Sequence, residues 1–167
     1  MAAEINKEQV IKTLNSILEA ELAGVVRYTH YSLMIFGHAR IPIIDWMRTQ
    51  ATESLTHACA AGEHITSLGG HPSLRIGPLL ETEKHDIDSI LREALEHESV
   101  GLNHYRQLLE LVDGKSVYLE EYARKMVHDE EAHITEVDKM IRRPGSLDPE
   151  PSSVTTSAPL WSASTTV

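Results

Sequence analysis

The chain has one cysteine, Cys59, in 167 residues, so it can form no internal disulfide and no four-cysteine metal centre. It has no basic excess: Lys and Arg number 15 against 25 Asp and Glu, a net charge of −10 with histidines neutral. Phosphate recognition needs a basic face, which argues against nucleic acid as the main partner. No apolar run is long enough to span a bilayer. The stretch Met1-Ala2-Ala3-Glu4-Ile5-Asn6-Lys7 has no apolar signal segment. No membrane partner is therefore expected, and the expected setting is cytoplasmic. Strand alternation and short-period repeats are also missing.

Helical periodicity and histidine are what the chain has in quantity. Of the ten histidines, His30, His38, His85 and His104 read as ordinary surface or boundary residues. A first helix is expected from Asn6, a good N-cap, to about residue 36. Its stripe is Val10, Leu14, Ile17, Glu21, Gly24, Val25, Tyr28, Ser32 and Ile35, with Glu19 pointing away to solvent. A second, with Pro42 in its first turn, runs to about residue 68 on Ile44, Met47, Ala51, Leu55, Ala58, Ala61, Ile65 and Leu68. Residues 71–84 carry Pro72, Gly77 and Pro78 and lack helical period, which suits a long crossover. A third helix spans about 85 to 112, with Ile87, Leu91, Ala94, Glu98, Leu102, Tyr105, Leu109 and Val112 as its stripe. A fourth follows the turn at 113–116 and runs from Val117 to Ile141 on Leu119, Tyr122, Ala123, Met126, Val137 and Met140. The expected fold is all-α: a four-helix bundle over residues 1–143 with one long crossover between helices 2 and 3. The Ser/Thr/Pro-rich residues 144–167 read as a flexible tail.

These apolar stripes are interrupted by acids. Glu130 and His133, three apart on the fourth helix, share one face. Glu21 and Glu98 sit at the centres of the first and third stripes. His57 flanks the second, with Glu53 one turn earlier. Glu96 projects away from its stripe and is the poorer candidate. Carboxylates are seldom buried without a partner, and four glutamates balance two divalent cations. Like charges left alone would repel, and some carboxylates would protonate. The set Glu21, Glu53/His57, Glu98, Glu130/His133 follows the arrangement of di-iron and di-manganese carboxylate bundles. Hard carboxylate oxygens and imidazole suit iron. The six candidate metal ligands are thus Glu21, Glu53, His57, Glu98, Glu130 and His133.

The sequence resembles a bacterioferritin-type member of the ferritin-like superfamily over most of residues 7–143. The resemblance is carried by Leu14-Asn15-x-x-Leu18-x-x-Glu21-Leu22 with Tyr28, by His57-Ala58 leading to Leu68-x-Gly70-x-Pro72-x-Leu74, by Glu98, and by Asp129-Glu130-Glu131-x-His133-Ile134. It implies a cage-forming bundle that oxidises ferrous iron at a di-iron site and stores the mineral. It also implies Glu21, Glu98, Glu130 and His133 as residues of the catalytic centre. The expected metal is a pair of iron ions (Fe2+/Fe3+), with manganese or zinc as substitutes. The expected partners are Fe(II), dioxygen or hydrogen peroxide, and further copies of the chain, as a cage or a dimer.

The chain departs from the family pattern in three places. The family's second helix has Glu-x-x-His, but Ser54 stands three residues before His57. Glu53, at a spacing of four, replaces it either directly or through a local π-bulge. Where the family holds haem through a methionine beside that glutamate, this chain has Ser54 and Leu55, so no haem is expected. The tail has no counterpart of the family's short fifth helix, which leaves 24-subunit, 12-subunit and dimeric assemblies open. Two alternative functions also stand: a rubrerythrin-like peroxidase or oxygenase without storage, and a catalytically weak subunit of a mixed cage. Of the remaining residues, Tyr28 reads as a partner of a ligand glutamate and Tyr105 as a core tyrosine. His64 reads as partly exposed, and Cys59 as small and buried.

Overall fold

The structure is a computed structural model and describes residues 4–79 and 81–148. Its element order is α1 (Lys7–Met34), α2 (Arg40–Ser67), α3 (Ile87–Val112) and α4 (Val117–Ile141). Short polar residues start three of the helices, each satisfying an amide that the first turn leaves unpaired. Asn6 accepts from the Gln9 amide at 3.1 Å, Asp86 from Ser89 at 2.9 Å and Ser116 from Leu119 at 3.5 Å. No strand occurs among the described residues.

α1 packs against both α2 and α3, and α3 packs against α4. No Cα of α2 lies within 8 Å of one in α4. The described residues between α2 and α3 form no helix or strand, and the segment runs along α1. The Ser73 amide donates to Asn15 Oδ1 at 2.7 Å, and the Gly77 amide donates to the Glu19 carbonyl at 2.7 Å. Gly77 is glycine for a steric reason: a Cβ there would lie 3.1 Å from that same carbonyl. Arg75 pairs with Glu19 at 3.3 Å, so Glu19 is partly covered by the crossover and is not the solvated acid the periodicity suggested.

Two main apolar clusters fill the bundle. One gathers Val10, Leu14, Ile17, Ala58, Ile65, Tyr105, Leu108, Leu119 and Met126. The other gathers Tyr28, Tyr31, Ile35, Met47, Ile90 and Ala94. Each fully buried Leu, Ile or Met side chain contributes about 1.5–3 kcal/mol, so these clusters dominate the stability of the fold. Glu21, His57, Glu98 and Glu130 all fall in sequence between members of the two clusters or beside them, and all four are buried. The bundle therefore has a polar layer between apolar ones.

Some sequence expectations are corrected. Leu55 is 48% exposed and Cys59 is exposed, so neither belongs to the core. The buried seam of α2 is set by Ala51, Ala58 and Ile65; Leu55 falls past its edge, and Cys59 lies one turn further on. His64 is buried, with its ring 4.2 Å from that of Tyr122. On α3, Leu108 rather than Leu109 is fully buried. Most of the Ser/Thr/Pro-rich tail, residues 149–167, lies outside the described residues.

Candidate metal centre

α1, α3 and α4 each send an acid inward, and α2 an imidazole, because these residues lie on the buried face of their helix. Glu21 comes from α1, His57 from α2, Glu98 from α3, and Glu130 with His133 from α4. The structure brings these five together. Ligand atoms of Glu21, His57 and Glu130 lie within 4.8 Å of one another, as do those of Glu98, Glu130 and His133. Glu130 belongs to both groups. Its Oε1 lies 3.4 Å from His57 Nδ1 and its Oε2 lies 3.9 Å from His133 Nδ1. His57 Nδ1 is also 3.4 Å from Glu21 Oε1. The space between the side chains is about 10 Å³, room for single atoms and too little for an organic substrate.

Glu53 stands apart from both groups. It lines the same space, with Oε2 3.4 Å from His133 Nε2, but its side chain is 39% exposed. α2 is regular α-helix throughout, so no π-bulge turns Glu53 inward. It reaches the centre from the flank, and Gln50 Nε2 donates to it at 3.5 Å. Ser54 is buried and also lines the space. Gly24 makes room for Ser54: a Cβ on Gly24 would lie 2.7 Å from Ser54 Oγ and 3.0 Å from His97 Nε2.

Tyrosine hydroxyls support the acids. Tyr28 donates to Glu98 Oε1, and Tyr105 donates to Glu21 Oε1 at 2.7 Å. Tyr105 is therefore a partner of a candidate ligand, contrary to its reading as plain core. Its place within an apolar stripe hid this, because the partner comes from another helix. Burial, then the neighbouring carboxylate, pushes both phenols well above their ordinary range. Both remain donors.

The electrostatics show which charge the centre favours. Burial, followed by the charge of Glu130, raises the Glu98 carboxyl well above the ordinary range. Burial opposes a charge on His57, but its hydrogen bonds with Glu130 and Glu21 outweigh that, and its pKa rises from 6.5 to about 10. Protons are thus held where positive charge is needed to balance the acids. Divalent cations would supply that charge and displace the protons. The donor set fits them: carboxylate oxygens and imidazole nitrogens on four rigid helices, each ligand-bearing stripe facing the same layer.

Helical periodicity carries no signal for a second polar network next to this layer. Arg27 is buried; its Nη1 donates to Tyr31 Oη at 3.0 Å and its Nη2 to the Pro78 carbonyl at 3.1 Å. Tyr31 donates to Glu93 at 2.9 Å, and Thr82 also donates to Glu93. Arg27, Pro78, Glu93 and His97 border a pocket of about 320 Å³ between α1, α3 and the crossover. Burial, then the charge of Arg27, lowers the His97 pKa to about 4. The helical members Arg27, Tyr31, Glu93 and His97 fall outside the stripes read from periodicity, and Pro78 and Thr82 belong to the non-helical crossover.

A four-helix bundle with one long crossover and an acidic layer inside it is the architecture of the di-iron carboxylate bundles. The ferritin-like domain family matches residues 11–144, and the chain belongs to that family. No curated protein matches it significantly. Among solved structures, a ferritin-like di-iron-carboxylate protein from Bacillus anthracis superposes with a TM-score of 0.77 at 23% identity, covering 81% of this chain and 97% of that one. A dodecameric thioferritin, described as bacterioferritin-related, from Bacteroides fragilis gives 0.73 at 20% identity, covering 81% and 86%. The Rhodobacter capsulatus bacterioferritin gives 0.72 at 24% identity, covering 84% and 86%. At these identities the likeness establishes the shared fold.

Proposed function

We propose that the chain is a ferroxidase that binds Fe(II) in pairs within the bundle, oxidises it and passes it on for storage. The observation that carries this reading is Glu130, which offers one oxygen to each of two donor groups. On this reading Glu21 and His57 hold one iron, Glu98 and His133 hold the other, and Glu130 bridges them. Glu53 adds charge beside His133 from the flank. Two adjacent ferrous ions give up one electron each. That matches the two-electron demand of dioxygen going to peroxide, or of hydrogen peroxide going to water. Tyr28 and Tyr105 hold Glu98 and Glu21 in orientation. The small space excludes larger reductants. Storage requires a shell, so the working form on this reading is a homo-oligomer; the Bacteroides fragilis relative is dodecameric.

The direct test is to add Fe(II) anaerobically to metal-free protein and then admit oxygen or peroxide. Oxidation faster than in buffer, with more ferric iron retained than the two ions per chain the centre accounts for, supports the proposal. Oxidation at the buffer rate would refute it. A second reading keeps the centre but not the storage, as in a peroxidase supplied with electrons by a partner. Peroxide turnover by a dimer that accumulates no iron would select it.

A further inference from the structure

Three side chains on the outer surface, far along α1 from the acidic layer, form a second constellation. They are His30 of α1, Glu81 of the crossover and His85 just before α3. One ligand atom from each lies within 4.8 Å of the other two. His30 Nε2 is 3.0 Å from Glu81 Oε2, and His85 Nε2 is 3.9 Å from Glu81 Oε1. Around a tetrahedral zinc-type ion with bonds of about 2.0–2.2 Å, neighbouring donors stand about 3.3 Å apart. The two observed distances bracket that value. The side chains are 44%, 50% and 39% exposed, so small rotations are cheap.

The backbone favours the arrangement. Glu83 adopts φ 56, a left-handed conformation that is unusual for a residue with a side chain. The bend lies between Glu81 and His85 and turns the chain so that both face one point. The Glu83 amide also donates to Glu81 Oε1 at 2.6 Å, which fixes the carboxylate with Oε2 toward His30. An outer partner of this kind is what orients a metal-binding carboxylate. The His30 ring leans on Tyr31, with centroids 6.2 Å apart.

We propose that His30, Glu81 and His85 bind one divalent transition-metal ion of the zinc class, with water at the fourth position, and that this ion clips the end of the crossover onto α1. Two imidazoles and one carboxylate with an open position form a zinc-type donor set. The clip joins residues about fifty positions apart, and closing a long loop is where a metal link constrains the chain most. It also holds down the segment whose Gly77 and Pro78 roof the Arg27 pocket. The site is independent of the acidic layer and of the function proposed for it.

The test uses the full-length protein with zinc, and with cobalt(II) as the spectroscopic probe. Wild type should retain one more zinc per chain after gel filtration than the double variant His30→Asn/His85→Asn. Its cobalt form should show strong visible absorption of tetrahedral type that the variant lacks. Zinc should slow proteolysis within residues 72–86 in wild type only. Each single substitution should weaken zinc binding at least about tenfold, the lower end of what is lost when a mere outer-shell partner is removed. Should the double variant fold poorly, Glu81→Gln alone serves, since it alters one exposed side chain. Equal zinc content and identical cobalt spectra in folded wild type and variant would overturn the proposal and leave an ordinary ion pair between His30 and Glu81. The variants keep the bundle centre intact, so their ferrous oxidation should stay at the wild-type rate; a loss of oxidation with unchanged zinc content would also count against the clip.

Discussion

Glu130 and Glu131 are neighbours with opposite fates. Glu130 is 3% exposed and faces two imidazoles, while Glu131 lies at the surface and pairs with Arg106 at 2.8 Å. Helical phase alone separates them, which is why the sequence could choose between them. The expected result is that Glu130→Gln slows Fe(II) oxidation by at least about tenfold, by the scale of metal-site losses, while Glu131→Gln leaves it unchanged in a stopped-flow assay. Glu53 was harder to read, because its flanking position fits both a ligand and a solvated acid. Its half-exposed side chain near His133 explains that ambiguity. His97 and Arg27 were not legible at all, since what marks them is the pocket between helices rather than any spacing along one helix.

His57 also sets a pH dependence. Its folded pKa of about 10 stands above 6.5, so the stability it contributes to metal-free protein is complete below pH 6.5. That contribution is lost as pH climbs toward 10. The raised Glu98 carboxyl acts in the same direction. The melting temperature of metal-free protein should therefore fall between pH 6.5 and 10. Adding manganese or zinc should flatten the fall, because the cations take over from the protons. A metal-free protein that melts at the same temperature across that range would contradict the charge assignment.

At the scale of the element, helix boundaries were the most legible feature. Asn6, Ser116 and the apolar periods gave α1 and α4 almost residue for residue, because caps and periodicity are local. Leu55 and Cys59 were misplaced because which edge of a seam is covered depends on the neighbouring helix. The approach of α1 to α2 at Gly24 is a point of that kind. Gly24→Ala should destabilise the protein by about 1–3 kcal/mol, the cost of overpacking, since the new methyl meets Ser54 Oγ at 2.7 Å and His97 Nε2 at 3.0 Å. Adding Ser54→Ala should recover part of that loss. Urea denaturation of the four forms in a double-mutant cycle measures the coupling. Additive effects would show that the two side chains do not share that space.

For the whole molecule, five of the large exposed apolar side chains lie on α1, α2 and the turn between them: Val26, Leu33, Phe36, Ile41 and Leu55. Such surfaces mark sites of association, and a homo-oligomer would bury them against copies of themselves. The substitution Leu33→Glu/Phe36→Glu should lower the native mass toward that of one chain, 18.6 kDa, as read by light scattering. An unchanged mass would place the contact elsewhere. The sequence could not reveal this surface, because an apolar residue on a stripe and one on an outer face look alike until the bundle is assembled.

α2 and α4 have no Cα atoms within 8 Å of each other, and they meet through His57 with Glu130, Glu53 with His133, and the ring of His64 on Tyr122. Such a side of the bundle is the natural place for breathing. In the metal-depleted protein, deuterium should enter the amides of α2 and α4 around these residues sooner than those of α1 and α3. Cations bridging the gap would slow that uptake on the α2–α4 side first, so the filling of the interior can be timed from the backbone without following any colour change.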